Sequence, residues 1–308
     1  MLYSLVFLVG ATIITAQAFR FSGFLWFYLL KPSSVKKYLH GIAPYVLVTG
    51  ATDGIGKAAA RELFVRDFNL IIHGRNEEKV KRVIEELKAQ GSGDIQYFIA
   101  DAAKGGHDFS QLLQPFMDLN ITLVVNNVGG VHMNGKKMDA SSEADLVELV
   151  TWNDLFPLLL TRALLPKLRS TSQRGPVLVQ FVGSQSAILG PPTLAVYAAT
   201  KAFLSTLVRG LDNEEHLWGA SSNVEFEHLA VGSVSSAGNP LTVTLAAPSA
   251  ASFGKALVDR LGCGRRHYAP WMVHAIMEWV VGVLPESVVD RFGASAIRNV
   301  YEDHQKRI

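Results

Sequence analysis

From residue 44 onward, short apolar runs alternate with stretches whose apolar positions recur every three to four residues. Tyr45–Thr49, Asn69–His73, Gln96–Ala100, Thr122–Asn126, Val177–Val182 and Asn223–Leu229 have strand length and composition. Helical patterns lie between them: Gly56–Phe68, a stretch capped by Asn76 through Gln90, a weaker one near Ser110–Leu119, then Glu143–Leu168 and Val196–Leu217. Apolar strands separated by helices predict a buried parallel sheet covered on both faces. Such sheets bind ligands at the carboxyl ends of their strands, so the residues just past each run are the ones to read for chemistry.

Past Ser233 the pattern weakens. Leu241–Ala251 is rich in small residues and reads as a loop or lid. Trp271–Leu284 is apolar but interrupted by His274 and Glu278, too short and polar for a span. It reads as a helix packed on the sheet or resting on a membrane surface. No repeats or low-complexity tracts occur.

The amino terminus follows a different pattern. Leu2–Phe19 and Phe21–Leu30 carry no charge, and only Arg20 separates them. A spanning helix needs about 20 apolar residues, so residues 1–30 are expected to form a membrane anchor. Lys31, Lys36 and Lys37 follow it, and the positive-inside bias then places the remainder on the cytosolic side. A cleaved signal peptide is the rival, on Ala16-Gln17-Ala18. The missing basic n-region and the apolar run continuing to Leu30 favour the anchor. Spanning and monotopic forms both stay open. The division expected is 1–30 anchor, 31–43 linker, 44–240 catalytic domain, and 241–308 C-terminal lid and apolar helical extension.

Composition narrows the function classes. The chain of 308 residues, 49% apolar, has room for one large α/β domain with extensions. A net charge of +2 without a basic stripe gives no reason to expect a nucleic-acid partner. Cys263 is the only cysteine, which excludes an internal disulfide and any multi-cysteine metal site.

The chemistry lies at the strand ends. Thr49-Gly50-Ala51-Thr52-Asp53-Gly54-Ile55-Gly56 follows the first strand and opens a helix. Glycines there let the backbone turn tightly against a pyrophosphate, which the helix N-terminus favours. The second strand ends in His73-Gly74-Arg75 with no carboxylate; an arginine there suits a ribose 2′-phosphate, hence NADP(H). Asp101, ending the third strand, suits an adenine amino group.

Tyr197 and Lys201 share a helix face at i and i+4, with Ser184 thirteen residues before Tyr197. A tyrosine with pKa about 10 needs a neighbouring cation to act near neutral pH, and Lys201 is expected to supply it. Ser184 is placed to hold a substrate carbonyl while Tyr197 delivers a proton; Ser186 competes for the serine role. Asn153 is a fourth member. Pro157 brings no N–H to its carbonyl, which is expected to be free for a water linked to Lys201. A plain proline kink is the alternative.

In order along the chain, Thr49-Gly50-(x)3-Gly54-Ile55-Gly56, Asn126-Asn127-Val128-Gly129, Asn153, Ser184 and Tyr197-(x)3-Lys201 resemble the short-chain dehydrogenase/reductase family over roughly residues 44–235. The resemblance implies a doubly wound parallel sheet (Rossmann-type) behind the N-terminal anchor, and NADPH or NADP as cofactor. It implies a catalytic set of Asn153, Ser184, Tyr197 and Lys201. The implied cofactor contacts are Thr49, Gly50, Thr52, Asp53, Gly54, Ile55, Gly56, Arg75, Asp101, Asn126, Asn127, Gly129, Tyr197, Lys201, Val231 and Ser233.

More narrowly, Thr52-Asp53-Gly54-Ile55-Gly56-Lys57, Pro191-Pro192 and the Leu261-Gly262-Cys263-Gly264…Trp271…His274 tail are similar to membrane-bound very-long-chain 3-oxoacyl-CoA reductases and related hydroxysteroid dehydrogenases. That likeness implies the endoplasmic reticulum membrane, a catalytic domain facing the cytosol, and fatty acid elongation. The closing Gln305-Lys306-Arg307-Ile308 holds one lysine where a dilysine retrieval signal has two.

The leading expectation is NADPH-dependent reduction of a 3-oxoacyl-CoA, with Lys136 and Lys137 as the best candidates to meet coenzyme A phosphates. A steroid, terpenoid or polyketide ketone is the alternative lipophilic substrate. A non-catalytic NADPH-binding membrane scaffold is the alternative of another class. Oligomeric state, a homodimer included, is open.

Overall fold

The structure is a computed structural model that describes residues 2–305. The lysine read as half of a retrieval signal lies outside the described residues. Two compact units divide at Ser33/Ser34.

The first unit is helix α1, Leu2–Leu25, running on through a π-helical turn, Trp26–Leu30. Tyr3–Leu30 is 28 residues long with mean hydropathy 1.6, long and apolar enough to cross a membrane. At 1.5 Å per residue it is about 42 Å long, against a hydrocarbon core of about 30 Å. Lys31 closes it, its ammonium 5.4 Å from the centre of the Trp26 ring.

The second unit is built on seven parallel strands: β1 Pro44–Val48, β2 Asn69–Gly74, β3 Ile95–Ile99, β4 Asn120–Asn126, β5 Val177–Val182, β6 Val224–Leu229 and β7 His267–Tyr268. Their order is β3-β2-β1-β4-β5-β6-β7, every pair parallel. The chain crosses from the β3 edge to the far side of β1 to lay down β4. The β1/β4 boundary is therefore the topological switch point, where doubly wound sheets open a crevice.

The helices of this unit are α2 Gly54–Phe64, α3 Glu77–Lys88, α4 Phe109–Leu113, α5 Glu143–Val150, α6 Phe156–Ser172, α7 Ser186–Leu189, α8 Ala195–Leu217, α9 Ala250–Asp259, α10 Met272–Val283 and α11 Glu286–Gln305. Alternate strand residues face opposite sides. Leu47, Ile71, Val124, Val179 and Phe226 join Phe156, Leu160, Leu164 and Leu168 of α6 and Leu204 and Val208 of α8 in one cluster. Their neighbours Val46, Val48, Leu70, Ile72 and Val125 are buried as well, as are Ala59, Ala60 and Leu63 of α2.

Three expectations are corrected. The long helix over 143–168 is two helices joined by a π-helical turn, Thr151–Leu155. Pro157 has no N–H to give at i−4, and the ladder widens one residue early: Phe156 N–H bonds the Thr151 carbonyl. The helix near Ser110–Leu119 shrinks to α4 and a 3-10 turn, Gln114–Phe116, because Pro115 interrupts it.

The third correction concerns the region past Ser233, which is more ordered than its pattern suggests: β7, α9 and α11 lie there, beside α10, which matches the helix expected over Trp271–Leu284. α9 buries Phe253, Leu257 and Val258 around Gly254. A Cβ on Gly254 would lie 2.6 Å from Ala58 Cβ, so α9 and α2 approach closely there. Ser249 caps α9, its hydroxyl accepting the Ser252 N–H at 3.2 Å.

Candidate active site

The ends of β1, β4, β5 and β6 lie side by side and deliver the turns at Gly50, Asn127, Ser184 and Val231. Thr49 ties the first two together. Its buried hydroxyl accepts the N–H groups of Asn127 and Val128 at 2.9 and 3.0 Å. The Asn127 amide returns the bond, donating to the Thr49 carbonyl at 3.0 Å and the Gly50 carbonyl at 3.3 Å.

Gly50 and Gly54 have φ of +62° and +56°, in the left-handed region where L side chains are strained. A Cβ on Gly56 would lie 2.3 Å from the Gly50 carbonyl oxygen, so only glycine fits. Asp53 caps α2, accepting the Gly54 N–H at 2.6 Å, and α2 has no acid in its first turn. Thr52 and Ile55 are partly exposed in the same turn. A helix N-terminus with no acid in its first turn, opening at a switch point, suits an anionic ligand.

Arg75 follows β2 and is exposed, with no carboxylate partner among the described residues. Asp101 is half-buried past β3, and its carbonyl bonds the His107 ring at 2.8 Å. Asn126 turns its amide into the core, donating to Thr161 Oγ1 at 3.1 Å. Val231 is buried and Ser233 exposed in the turn after β6. That turn is held by the Gln185 N–H, which donates to the Val231 carbonyl at 2.9 Å.

The catalytic candidates converge. Asn153 sits fully buried in the π-helical turn, donating to the carbonyls of Gly130 at 2.9 Å and Leu149 at 3.0 Å, and accepting the Gly130 N–H at 3.2 Å. A Cβ on Gly129 would lie 2.7 Å from Asn153 Oδ1 and 3.2 Å from Lys201 Nζ, so both side chains press on that glycine. Lys201 is buried, donates to the Val182 carbonyl at 3.2 Å and stands 5.7 Å from the Tyr197 ring centre.

Ser184 is the serine coupled to the tyrosine: its hydrogen bond pulls the Tyr197 pKa down. Ser186 stands behind it, donating from its hydroxyl to Ser184 Oγ at 3.0 Å and from its N–H at 3.2 Å.

The electrostatics differ from expectation. Burial raises the Tyr197 phenol, and this outweighs the opposing pull of Ser184, so the net direction is up rather than down. The same burial lowers Lys201 to about 8, opposed by Asp154. Asp154, buried beside Asn153, is raised to about 7 by burial and lowered by Lys201, and its Oδ1 has no hydrogen-bond partner. A proton donor, a carbonyl-binding hydroxyl and a buried ammonium therefore share one desolvated corner. That arrangement can polarise a carbonyl and protonate the oxygen it becomes.

A cavity of about 300 Å³ opens on Tyr197, lined by Val131, Met138, Leu146, Leu149 and Leu194, with Lys136 and Lys137 also at its walls. Tyr301 of α11 stands beside it: its hydroxyl lies 3.1 Å from Oγ1 of Thr193, which lines the cavity, and a Cβ on Gly135 would lie 3.6 Å from its ring.

Sequence reading gave no role to His73, Asp154 or Gln185, and named His274 only as a break in an apolar segment and as part of a similar tail. The signal available for His73 was a polar residue closing an apolar run, Leu70-Ile71-Ile72. His274 organises the far side of the cleft: Nδ1 accepts the Gly232 N–H at 3.2 Å and Nε2 bonds the Ala246 carbonyl at 3.1 Å.

Known proteins resemble this chain along most of its length. A very-long-chain 3-oxoacyl-CoA reductase of Kluyveromyces lactis is 29% identical over 266 residues, covering 82% of this chain and 75% of that protein. One from Pyricularia oryzae is 29% identical over 280 residues, covering 89% and 82%. The solved structure of a 3-oxoacyl (acyl-carrier-protein) reductase from Agrobacterium tumefaciens with NADP bound has the same fold, with TM-score 0.65 at 20% identity over 79% of this chain and 97% of that one. The short chain dehydrogenase pattern matches residues 44–240, which hold the glycine turn, Asn153, Ser184, Tyr197 and Lys201 in one parallel sheet. The chain belongs to the short chain dehydrogenase family and is an oxidoreductase.

Proposed function

We propose that the protein reduces a 3-oxoacyl-CoA to the 3-hydroxyacyl-CoA with NADPH, in very-long-chain fatty acid elongation. The observation that carries this reading is the cavity at Tyr197, apolar along Val131, Met138, Leu146, Leu149 and Leu194 and bordered by Lys136 and Lys137. Apolar walls suit an acyl chain and two ammonium groups suit coenzyme A phosphates. The names of the fungal relatives point the same way.

The cleft fits a dinucleotide: glycines where a Cβ would clash, a helix N-terminus with no acid in its first turn, and an exposed arginine past β2. Thr49, Gly50, Thr52, Asp53, Gly54, Ile55 and Gly56 would hold the pyrophosphate, and Arg75 a 2′-phosphate. Asp101 would meet the adenine. Asn126, Asn127, Gly129, Val231 and Ser233 would line the nicotinamide end. NADPH, when bound, supplies the hydride. Ser184 holds the substrate carbonyl, Tyr197 donates its phenolic proton to the oxygen, and Lys201 and Asn153 keep that corner charged and ordered.

Residues 1–30 are proposed as the anchor in the endoplasmic reticulum membrane, residues 31–43 as the linker, and 44–240 as the NADP-binding catalytic domain facing the cytosol. The extension beyond 240 closes the substrate side through Tyr301. An anchored enzyme meets a lipid-borne acyl chain with little exposure of that chain to water.

The test follows NADPH consumption by detergent-solubilised protein with a long-chain 3-oxoacyl-CoA, with a steroid ketone and with NADH in place of NADPH. Turnover of the thioester with NADPH, lost in Lys136→Ala/Lys137→Ala at low substrate and recovered at high substrate, is expected. Turnover of the steroid alone would move the substrate assignment to other lipophilic ketones.

A further inference from the structure

His73 lies in β2, the strand before Arg75, and is 1% exposed. Its ring touches both sides of the cleft. Nδ1 accepts the Gly50 N–H at 3.2 Å, and Nε2 lies 3.0 Å from the Ala100 carbonyl oxygen. The main-chain carbonyl of His73 takes the next amide as well, accepting the Ala51 N–H at 3.0 Å. Two consecutive amides of the glycine turn are thus bound to one residue.

The partners fix the proton. An N–H can only donate and a carbonyl can only accept, so Nδ1 carries the lone pair and Nε2 the hydrogen. An imidazolium would set two donors face to face at Gly50. The ring cannot turn away, because Phe98 and Phe156 stack against it at 4.8 and 5.0 Å, each inclined 29°. The titratable groups that act on it are His107 and Asp101, both in the segment after β3; burial leads, and holds the ring neutral with pKa lowered to about 4.

We infer that His73 is a positioning residue of the nucleotide cleft, a neutral strut between the glycine turn after β1 and the end of β3 that sets the distance between the phosphate and adenine sides. The inference rests on the proposal that this cleft takes NADPH. Thr49 holds the opposite flank of the same turn through Asn127 and Val128, so the turn is pinned from β2 and from β4. Without the ring, the Gly50 N–H and the Ala100 carbonyl lose buried partners, and the turn can drift from the shape that an anion requires.

The experiment compares full-length wild type, His73→Leu and His73→Gln by equilibrium binding of NADPH and of adenosine 2′,5′-bisphosphate, together with steady-state kinetics. Gln offers one acceptor and one donor; Leu keeps the apolar bulk and offers neither. Expected is a rise of about tenfold or more in both dissociation constants for His73→Leu, the size set by an unpartnered buried group. The kcat at saturating NADPH should stay near wild type, and His73→Gln should recover most of the affinity. A purely structural role would lower kcat and the folded fraction without this split or rescue. Nitrogen-15 NMR of the wild-type ring gives a reading independent of any variant's folding: Nε2 protonated and Nδ1 bare at neutral pH is expected, and the reverse tautomer overturns the inference. A folded His73→Leu that binds both ligands like wild type also overturns it. Failure of wild type to bind either ligand defeats the cofactor assignment itself, and the strut with it.

Discussion

Replacing Gly56 by alanine is a stringent trial of the glycine turn. A Cβ there would stand 2.3 Å from the Gly50 carbonyl oxygen, 2.9 Å from its carbon and 2.4 Å from Asn127 Nδ2. To regain ordinary contact, the turn has to retreat by about 1 Å. It has little freedom to do so, since Gly50 is held by His73 on one side and Asn127 on the other. Overpacking of this kind costs roughly 1–3 kcal/mol, and each Asn127 bond that breaks adds roughly 1 kcal/mol. If about 1.4–2.8 kcal/mol of that falls on the cofactor-binding conformation, the NADPH dissociation constant rises about 10- to 100-fold. Fluorescence titration with NADPH, beside a thermal melt, reads both effects. Gly210→Ala on α8 is the control, because nothing lies within 4 Å of its added Cβ. A folded Gly56→Ala protein with wild-type affinity would refute the packing argument.

Two further perturbations address the charges. Asp154 raises the pKa of Lys201 against burial, so Asp154→Asn should move the alkaline limb of the kcat/KM profile to lower pH. Each unit of movement is worth about tenfold in rate on that limb; a uniform loss at all pH values would contradict the role. Glu227, buried in β6 and accepting from Tyr268 Oη at 3.0 Å, is raised by burial from 4.5 to about 7. A raised folded pKa gives stability that is complete below pH 4.5 and lost as pH climbs through 7. The shift corresponds to roughly 3 kcal/mol at most, so wild-type Tm should fall by several degrees between pH 5 and 8 while Glu227→Gln stays flat.

How much of this was legible in sequence depends on what each residue packs against. β5 emerges with its sequence-derived bounds, Val177–Val182, because a strand buried on both faces is apolar at nearly every position, Gln180 being the exception. Asn76 acts as the cap it was read to be, accepting the Lys79 N–H at 2.8 Å. The glycine turn and the Ser184, Tyr197 and Lys201 set were readable because local backbone geometry and helix periodicity fix their spacing.

The direction of the Tyr197 shift was not legible, since burial of the phenol is a tertiary property and outweighs its neighbours. Nor were the braces at His73 and His274: each joins segments distant in sequence, and a histidine reads the same whether it is a ligand or a strut. α9 was harder to read because Gly254, which lets it approach α2 closely, sits within its apolar face of Phe253, Leu257 and Val258 and weakens the helical pattern. The break between α5 and α6 was half visible, since Pro157 announced an irregular helix without saying that the ladder would widen.

The central claim is reduction at C3 by hydride from NADPH with the proton from Tyr197. The most direct test incubates the protein with a long-chain 3-oxoacyl-CoA and NADPH deuterated at the transferable C4 position, then weighs the product. A 3-hydroxyacyl-CoA with one deuterium at C3, absent in Tyr197→Phe while that variant still binds NADPH, is the predicted result. Deuterium that stays on the nucleotide, or a Tyr197→Phe protein that labels product at the wild-type rate, would contradict the account.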